Sequence, residues 1–258
     1  MSSLFDSHAH LSSPELLPHI SEILLRSQRA GVEWIANICT DRESLREGLR
    51  LARENKGICN VGATTPHDAE KDGEADFPVF EEAARKGLLA AIGETGLDYH
   101  YVELDRKVQQ KFLIRYLHLA AELKLPVVFH CREAFEDLFS IVDGEYPKGA
   151  PAILHCFTGT IEEAEQVWLR GWHLSLSGIV TFKKSDGLRL VAKEAPINQL
   201  LIETDAPYLA PQSKRGRINE PSFIGETATC IAAARGEAAN QIAKATKENG
   251  IHVFQLSN

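Results

Sequence analysis

Eight short β-like runs recur along this chain, each followed by a stretch with helical signals, and this alternation constrains the fold more than any other feature. The runs are Leu4–His8, Trp34–Cys39, Ile58–Ala63, Leu88–Gly93, Val127–His130, Ala152–His155, His173–Ile179 and Leu200–Thr204. Between them, Arg42–Lys56 reads as a helix capped by Asp41, with Leu45, Leu49 and Ala52 on one face and Gly57 at its end. Asp105–Leu123 reads likewise, with Val108, Phe112, Tyr116, Leu119 and Leu123 in one stripe and Pro126 preventing continuation. Strand–helix alternation predicts a parallel sheet with crossover helices. Eight repeats within 258 residues favour a closed (β/α)8 TIM barrel over an open doubly wound sheet. No linker rich in Pro, Gly or Ser interrupts the pattern, so residues 1–258 read as a single domain.

Composition narrows the functional classes. With 28 Lys and Arg against 36 Asp and Glu, the formal charge of −8 argues against a broad nucleic-acid-coating surface, while leaving room for a local phosphate site. No apolar run approaches the ~18 residues of a membrane span, and the start MSSLFDSHAH lacks the basic and apolar regions of a signal peptide. Five cysteines without a CxxC spacing read as reduced thiols in a cytoplasmic protein. The chain has no G-x-G-x-x-G, P-loop or G-x-S-x-G segment from which to argue a nucleotide cofactor or a serine hydrolase.

In a barrel of this kind chemistry gathers at the carboxyl ends of the strands. His8 and His10, two apart, face the same side and point together into the mouth. The later runs end at His130 and His155 or run directly into Glu94 and Asp205, so greasy strands repeatedly finish in metal-ligand types. Mixed imidazole and carboxylate donors suit Zn²⁺, Mn²⁺ or a similar divalent ion. Six such donors exceed what one open catalytic ion takes and fit two divalent ions sharing a carboxylate, with Glu94 as the bridge. Asp205 is expected to bind an ion and to take a proton from the attacking water. Cys131 and Cys156 follow His130 and His155, but alternation along a strand predicts that both thiols point outward under the helices. His19, His118 and His252 read as ordinary histidines, and His100 as an outlying candidate near the mouth.

DSHAH, GETGLDYH, PVVFHCREA, ILHCFTG and LLIETDAPYLAP, in that order, resemble the TatD family of metal-dependent deoxyribonucleases. Arg215-Gly216-Arg217-Ile218-Asn219-Glu220-Pro221 is similar to that family's Arg-Gly-x-x-Asn-Glu-Pro segment. The resemblance covers essentially the whole chain. It implies an amidohydrolase-like TIM barrel with a divalent metal centre (Zn, Mn or Mg) and hydrolysis of DNA phosphodiester bonds from an end. Residue by residue, it places the family's metal ligands on His8, His10, Glu94, His130, His155 and Asp205. One motif departs: where the family usually reads Gly-x-His-Pro, this chain reads Gly62-Ala63-Thr64-Thr65-Pro66-His67, with Thr65 in the histidine position.

The substrate expected on this reading is single-stranded or frayed nucleic acid, with neither a membrane nor a stable protein partner implied. Arg132, returning to the mouth side two residues after His130, is the expected phosphate contact. His67 is expected to take over part of the missing histidine's role, and Lys214, Arg215 and Arg217 to rim the opening. Glu203 shares a face with Asp205 one layer deeper, as a catalytic partner that orients a ligand or the water, or as a core polar residue. Two other functions use the same barrel. An amidase, lactonase or deaminase would attack carbon, commonly with a modified lysine where this chain has Glu94. A decayed, metal-binding interaction protein would retain the ligands alone.

Overall fold

The computed structural model describes residues 3–101 and 103–256. Eight strands form one sheet in sequence order, every neighbouring pair from the first to the eighth parallel. They are β1 Leu4–Ala9, β2 Val32–Cys39, β3 Ile58–Gly62, β4 Ala91–Asp98, β5 Val127–Arg132, β6 Ala152–Leu154, β7 His173–Leu176 and β8 Leu200–Ile202. Closure between β8 and β1 is made by backbone just beyond β8: Asp205 N–H donates to His8 O at 2.9 Å and His10 N–H to Ala206 O at 2.7 Å. Those two bonds close the seam at the carboxyl end, where the candidate ligands lie.

Around the sheet run α1 Ile20–Arg29, α2 Arg42–Glu54, α3 Ala69–Arg85, α4 Arg106–Leu123, α5 Phe135–Glu145, α6 Ile161–Leu169, α7 Asp186–Glu194, α8 Ile224–Arg235 and α9 Ala239–Val253. Asp41 caps α2 by accepting from Ser44 N–H at 2.7 Å. This helix stops two residues short of the expected Lys56 because Asn55 turns extended and its Nδ2 donates back to Leu51 O at 3.0 Å. Asp105 caps α4, and Phe112, Tyr116 and Leu119 of the expected stripe are buried against the sheet. Inside the barrel, Phe5, Ile38, Val61, Val128, Ile153 and Leu201 make an apolar floor. Phe254, just past α9, stacks on Phe5 with ring centroids 5.6 Å apart and shuts the amino end.

Several strand limits differ from the sequence reading. The largest difference is at β4, expected at Leu88–Gly93 but found at Ala91–Asp98, so Glu94 lies inside the strand. Gly93 and Gly96 lie within this strand and permit a close approach of β5. At Gly96, φ is +145° and a Cβ would stand 2.0 Å from the His130 carbonyl oxygen, so only glycine fits beside β5. Conversely β7 ends at Leu176, before the helical turn Gly178–Thr181, and β6 and β8 stop one and two residues before the expected ends. His155, Glu203 and Asp205 are therefore carried by the segments leaving the sheet rather than by strands.

Candidate metal centre

Glu94 is the pivot of the mouth. Its Oε1 lies 2.9 Å from His155 Nε2 and 3.0 Å from His130 Nδ1. Its other oxygen, Oε2, lies 3.5 Å from His8 Nε2 and 3.8 Å from His10 Nε2. Asp205 Oδ1 closes the second group, 3.4 Å from His10 Nε2 and 3.7 Å from His8 Nε2. All six expected ligands thus converge in three overlapping groups: Glu94 with His130 and His155, Glu94 with His8 and His10, and Asp205 with His8 and His155. Asp205 reaches inward because its backbone is left-handed, φ +57°, which turns the side chain over the barrel after β8 has ended.

The burial of these groups makes the arrangement costly without a cation. His8 is wholly buried, yet neither of its ring nitrogens has a hydrogen-bond partner among the described residues. Separations of 3.4–3.8 Å are too long for hydrogen bonds. They match donor atoms on the edges of a tetrahedron with metal bonds of about 2.1 Å, for which the edge is about 3.4 Å. His8, His10, Glu94 Oε2 and Asp205 fit a divalent ion, while Glu94 Oε1, His130 and His155 offer a second donor set drawn together to 2.9–3.0 Å. Glu94 and the imidazoles around it shift one another's protonation. Burial opposes charge at Glu94, but the imidazoles of His155, His130 and His8 hold its carboxyl well below the usual range. Burial likewise opposes charge on His155, yet Glu94 and Glu203 draw its imidazole well above the ordinary value. His8 shifts the other way, its imidazole lowered by burial and by His155, so the carboxylates draw positive charge to His155 and not to His8.

Behind two of the imidazoles stands a carboxylate. Asp98, at the end of β4 and 1% exposed, accepts from His130 Nε2 at 2.9 Å, leaving His130 Nδ1 towards Glu94. Glu203, fully buried, lies 3.4 Å from His155 Nδ1 and accepts from Cys156 N–H at 2.7 Å. Such pairings fix the tautomer and the ring orientation of a ligating histidine. Glu203 is therefore placed beneath His155 rather than at the open mouth. Asp98 is the residue sequence reasoning missed: with β4 read as ending at Gly93, the four-residue spacing from Glu94, which puts both on one strand face, went unused.

The mouth is a cavity of about 700 Å³ lined by His10, Glu94, His130, His155 and Asp205, with His67, Arg132, Tyr101 and Tyr208 at its edge. Arg132 has no carboxylate within salt-bridge reach among the described residues; its guanidinium lies 5.7 Å from the Tyr101 ring centroid. His67 Nε2 is 2.9 Å from Asp98 Oδ2, so Asp98 joins it to His130. Thr65 lines the same cavity, but its hydroxyl donates to Asp68 at 2.8 Å. Arg217 is exposed and does not line the cavity, while Arg215 lies over Phe182, 4.6 Å from the ring centroid. Beyond these basic residues, the segment holds the loops in place. Asn219 Nδ2 donates to Thr204 O at 2.8 Å and Tyr208 O at 2.6 Å, pinning the loop that carries Asp205. Glu220 accepts two short bonds from Arg26, at 2.8 and 2.6 Å, which anchors the segment to α1.

Two expectations need correcting. Cys131 is packed in the core between sheet and helices as expected, yet it and Cys156 both line the mouth. Because β6 ends at Leu154 and Cys156 is left-handed, φ +43°, strand alternation does not govern it. Burial, with Asp205 and Glu203 nearby, holds its thiol well above the ordinary value, which disfavours a thiolate nucleophile. His100 turns away to pair with Glu133 at 2.8 Å, outside the centre.

The family described as TatD related DNase matches residues 5–255. This chain belongs to the TatD family. Among its relatives is the metal-dependent hydrolase YabD of Bacillus subtilis (strain 168), named as uncharacterized, 34% identical over 98% of this chain and 100% of its own length. Another is the 3'-5' ssDNA/RNA exonuclease TatD of Erwinia tasmaniensis, 33% identical over 98% of this chain and 100% of its own. The crystal structure of YJJV, a TatD homologue from Escherichia coli K12, superposes with a TM-score of 0.93 at 26% identity, covering 98% of each chain. The chain is thus a metal-dependent hydrolase of the TatD family with that family's parallel barrel. No helix among its described residues is long and apolar enough to cross a membrane.

Proposed function

We propose that this chain removes nucleotides from the end of single-stranded DNA or RNA, with two divalent ions held by His8, His10, Glu94, His130, His155 and Asp205. The observation that carries the reading is the division of Glu94, one oxygen facing His130 and His155 and the other facing His8 and His10. A donor set of imidazoles and carboxylates suits Zn²⁺ or Mn²⁺, with Mg²⁺ the harder alternative. Ions so held lower the pKa of bound water and neutralise phosphate charge. The substrate class and the 3′ end follow the relative named as a single-strand exonuclease. Five unpaired cysteines suit a reducing cytoplasm. The chain acts as a single domain, without a stable protein partner.

The chain's own residues have distinct tasks on this reading. Asp205, at the rim of the ligand group and lining the mouth, accepts the proton of the attacking water at its carboxylate. Arg132 offers a charged fork to a non-bridging phosphate oxygen. His67, tied to Asp98, presents its imidazole to the same phosphate from the β3 side. Asp98 and Glu203 hold His130 and His155 in their ligating orientations. The test is turnover of end-labelled single-stranded DNA, RNA, blunt duplex and a panel of small esters by the metal-loaded protein. The reading expects stepwise nucleotide release from single strands and little from duplex ends. Ester hydrolysis without nucleotide release would overturn it and favour attack on carbon.

A further inference from the structure

Two large aromatic side chains stand exposed at the mouth. Tyr208 is 53% exposed and Tyr101 43%, and both line the cavity that holds the ligand group. They follow β8 and β4, four strands apart in an eight-stranded barrel, so they flank the opening from opposite sides. Each is set against the chemistry. The Tyr208 ring stands edge-on to His10 with centroids 5.8 Å apart. The Tyr101 ring stands edge-on to His67 at 5.6 Å, with the Arg132 guanidinium 5.7 Å from its centroid.

Exposure here is not a sign of slack backbone. Tyr208 N–H donates to Asp205 O at 2.8 Å, and Tyr208 O accepts from the buried Asn219 at 2.6 Å. The loop that aims Asp205 therefore aims Tyr208 with it, one holding toward the centre and the other outward. A half-exposed tyrosine ring held at a fixed place beside the ligand group leaves a flat face open to a flat partner.

Resting on the nuclease reading above, we infer that Tyr208 and Tyr101 form an aromatic slot in which unpaired bases at the strand end stack, Tyr208 taking the base beside the scissile phosphate and Tyr101, with Arg132, its neighbour. Stacking tolerates every base because each presents a π face, so the slot selects unpaired ends over paired ones and is nearly blind to base identity. A base still paired in a duplex keeps its faces against its neighbours and cannot enter. The slot thereby supplies single-strand selectivity in a chain whose net charge of −8 gives no long basic track to do so.

The experiment compares kcat/KM for a short oligothymidylate with that for the same strand carrying tetrahydrofuran abasic residues at both termini, using metal-loaded parent, Tyr208→Ala, Tyr208→Phe and Tyr101→Ala proteins. Stacking on an aromatic side chain predicts that the parent favours the base-bearing strand by about five- to 150-fold per stacked base. Tyr208→Ala should bring the ratio down by that factor, mainly through KM; Tyr208→Phe, which keeps the ring, should preserve it; Tyr101→Ala should lower it partly. A ratio near one in the parent, or a ratio that Tyr208→Ala leaves intact, would overturn the slot while nucleotide release still upheld the nuclease. No release from either strand would overturn the nuclease reading, and the slot with it.

Discussion

Replacing Asp98 by Asn separates the metal centre from the fold that carries it. The carboxylate makes 2.9 Å contacts with both His130 Nε2 and His67 Nε2, and its Oδ1 accepts from His100 N–H at 3.0 Å. Its backbone is held independently by Gln109, whose side chain accepts from Asp98 N–H at 2.8 Å and donates to Asp98 O at 3.0 Å. Asn is nearly isosteric, so strand and helix should stay in place. What changes is the demand on His130. The carboxylate accepts only, which keeps the imidazole proton on Nε2 and leaves Nδ1 free as a ligand. An amide nitrogen in that place would ask Nε2 to accept and push the proton to Nδ1, where it blocks coordination. Losing such a backing carboxylate typically weakens metal binding 10–100-fold, or about 1.4–2.7 kcal/mol. We therefore expect Asp98→Asn to raise the metal Kd by roughly that factor, measured by competition with a fluorescent chelator. Activity should recover largely at high metal, and denaturation of the metal-free protein should be little altered. A metal Kd within threefold of the parent would refute the reasoning.

Three further outcomes follow from the same geometry. Asp205→Asn should lower single-turnover hydrolysis by roughly 10²–10⁴ at saturating metal with an unchanged circular dichroism spectrum, since the charge and the proton acceptor go while the shape stays; a rate within threefold of the parent would remove Asp205 from the reaction. His173, at the start of β7, has its imidazole pushed down to about 4 by burial, with His252 adding to the effect. The unfolded chain binds this proton at about pH 6.5, so its contribution is complete above that pH and is lost as pH falls towards 4, in all about 3 kcal/mol. Urea melts at pH 7 and pH 4.5 should show His173→Leu losing about 2 kcal/mol less than the parent, and equal losses would contradict the assignment. Single-strand affinity of the Asp205→Asn protein should fall with salt at a log–log slope of only about −0.7 to −1.4, because Arg132 is the arginine lining the mouth and one or two phosphates are neutralised; a slope steeper than about −5 would reveal an extended basic track.

Much of this architecture is legible in the chain because the barrel's signals are local and repeated. Apolar runs of strand length, the Asp41 and Asp105 caps and the stripe on α4 each arise from residues close in sequence. Ligand types at the ends of apolar runs point to the mouth for the same reason. The remainder depends on contacts between distant segments. β4 extends to Asp98 because Gly96 lets the His130 carbonyl come close, which a pattern of glycines cannot distinguish from a turn. Asp98 was hidden by that misplaced end. Cys156 escapes strand alternation because its backbone has already left the sheet. The basic residues near 214–217 look like a phosphate rim, yet none lines the mouth and Arg215 lies over Phe182. Sequence shows which residues carry charge; only the fold shows what each already faces.

The central claim is that Glu94 joins two metal ions in one centre. Its most direct test is to strip the protein with chelator, dialyse it against Mn²⁺ or Zn²⁺, and count bound ions per chain by mass spectrometry in the parent and in Glu94→Ala. The account predicts two ions per chain in the parent and at most one in the variant, with far-ultraviolet circular dichroism unchanged throughout because the apolar floor and the helices hold the barrel. One ion or none in the parent, or two retained without Glu94, would contradict it.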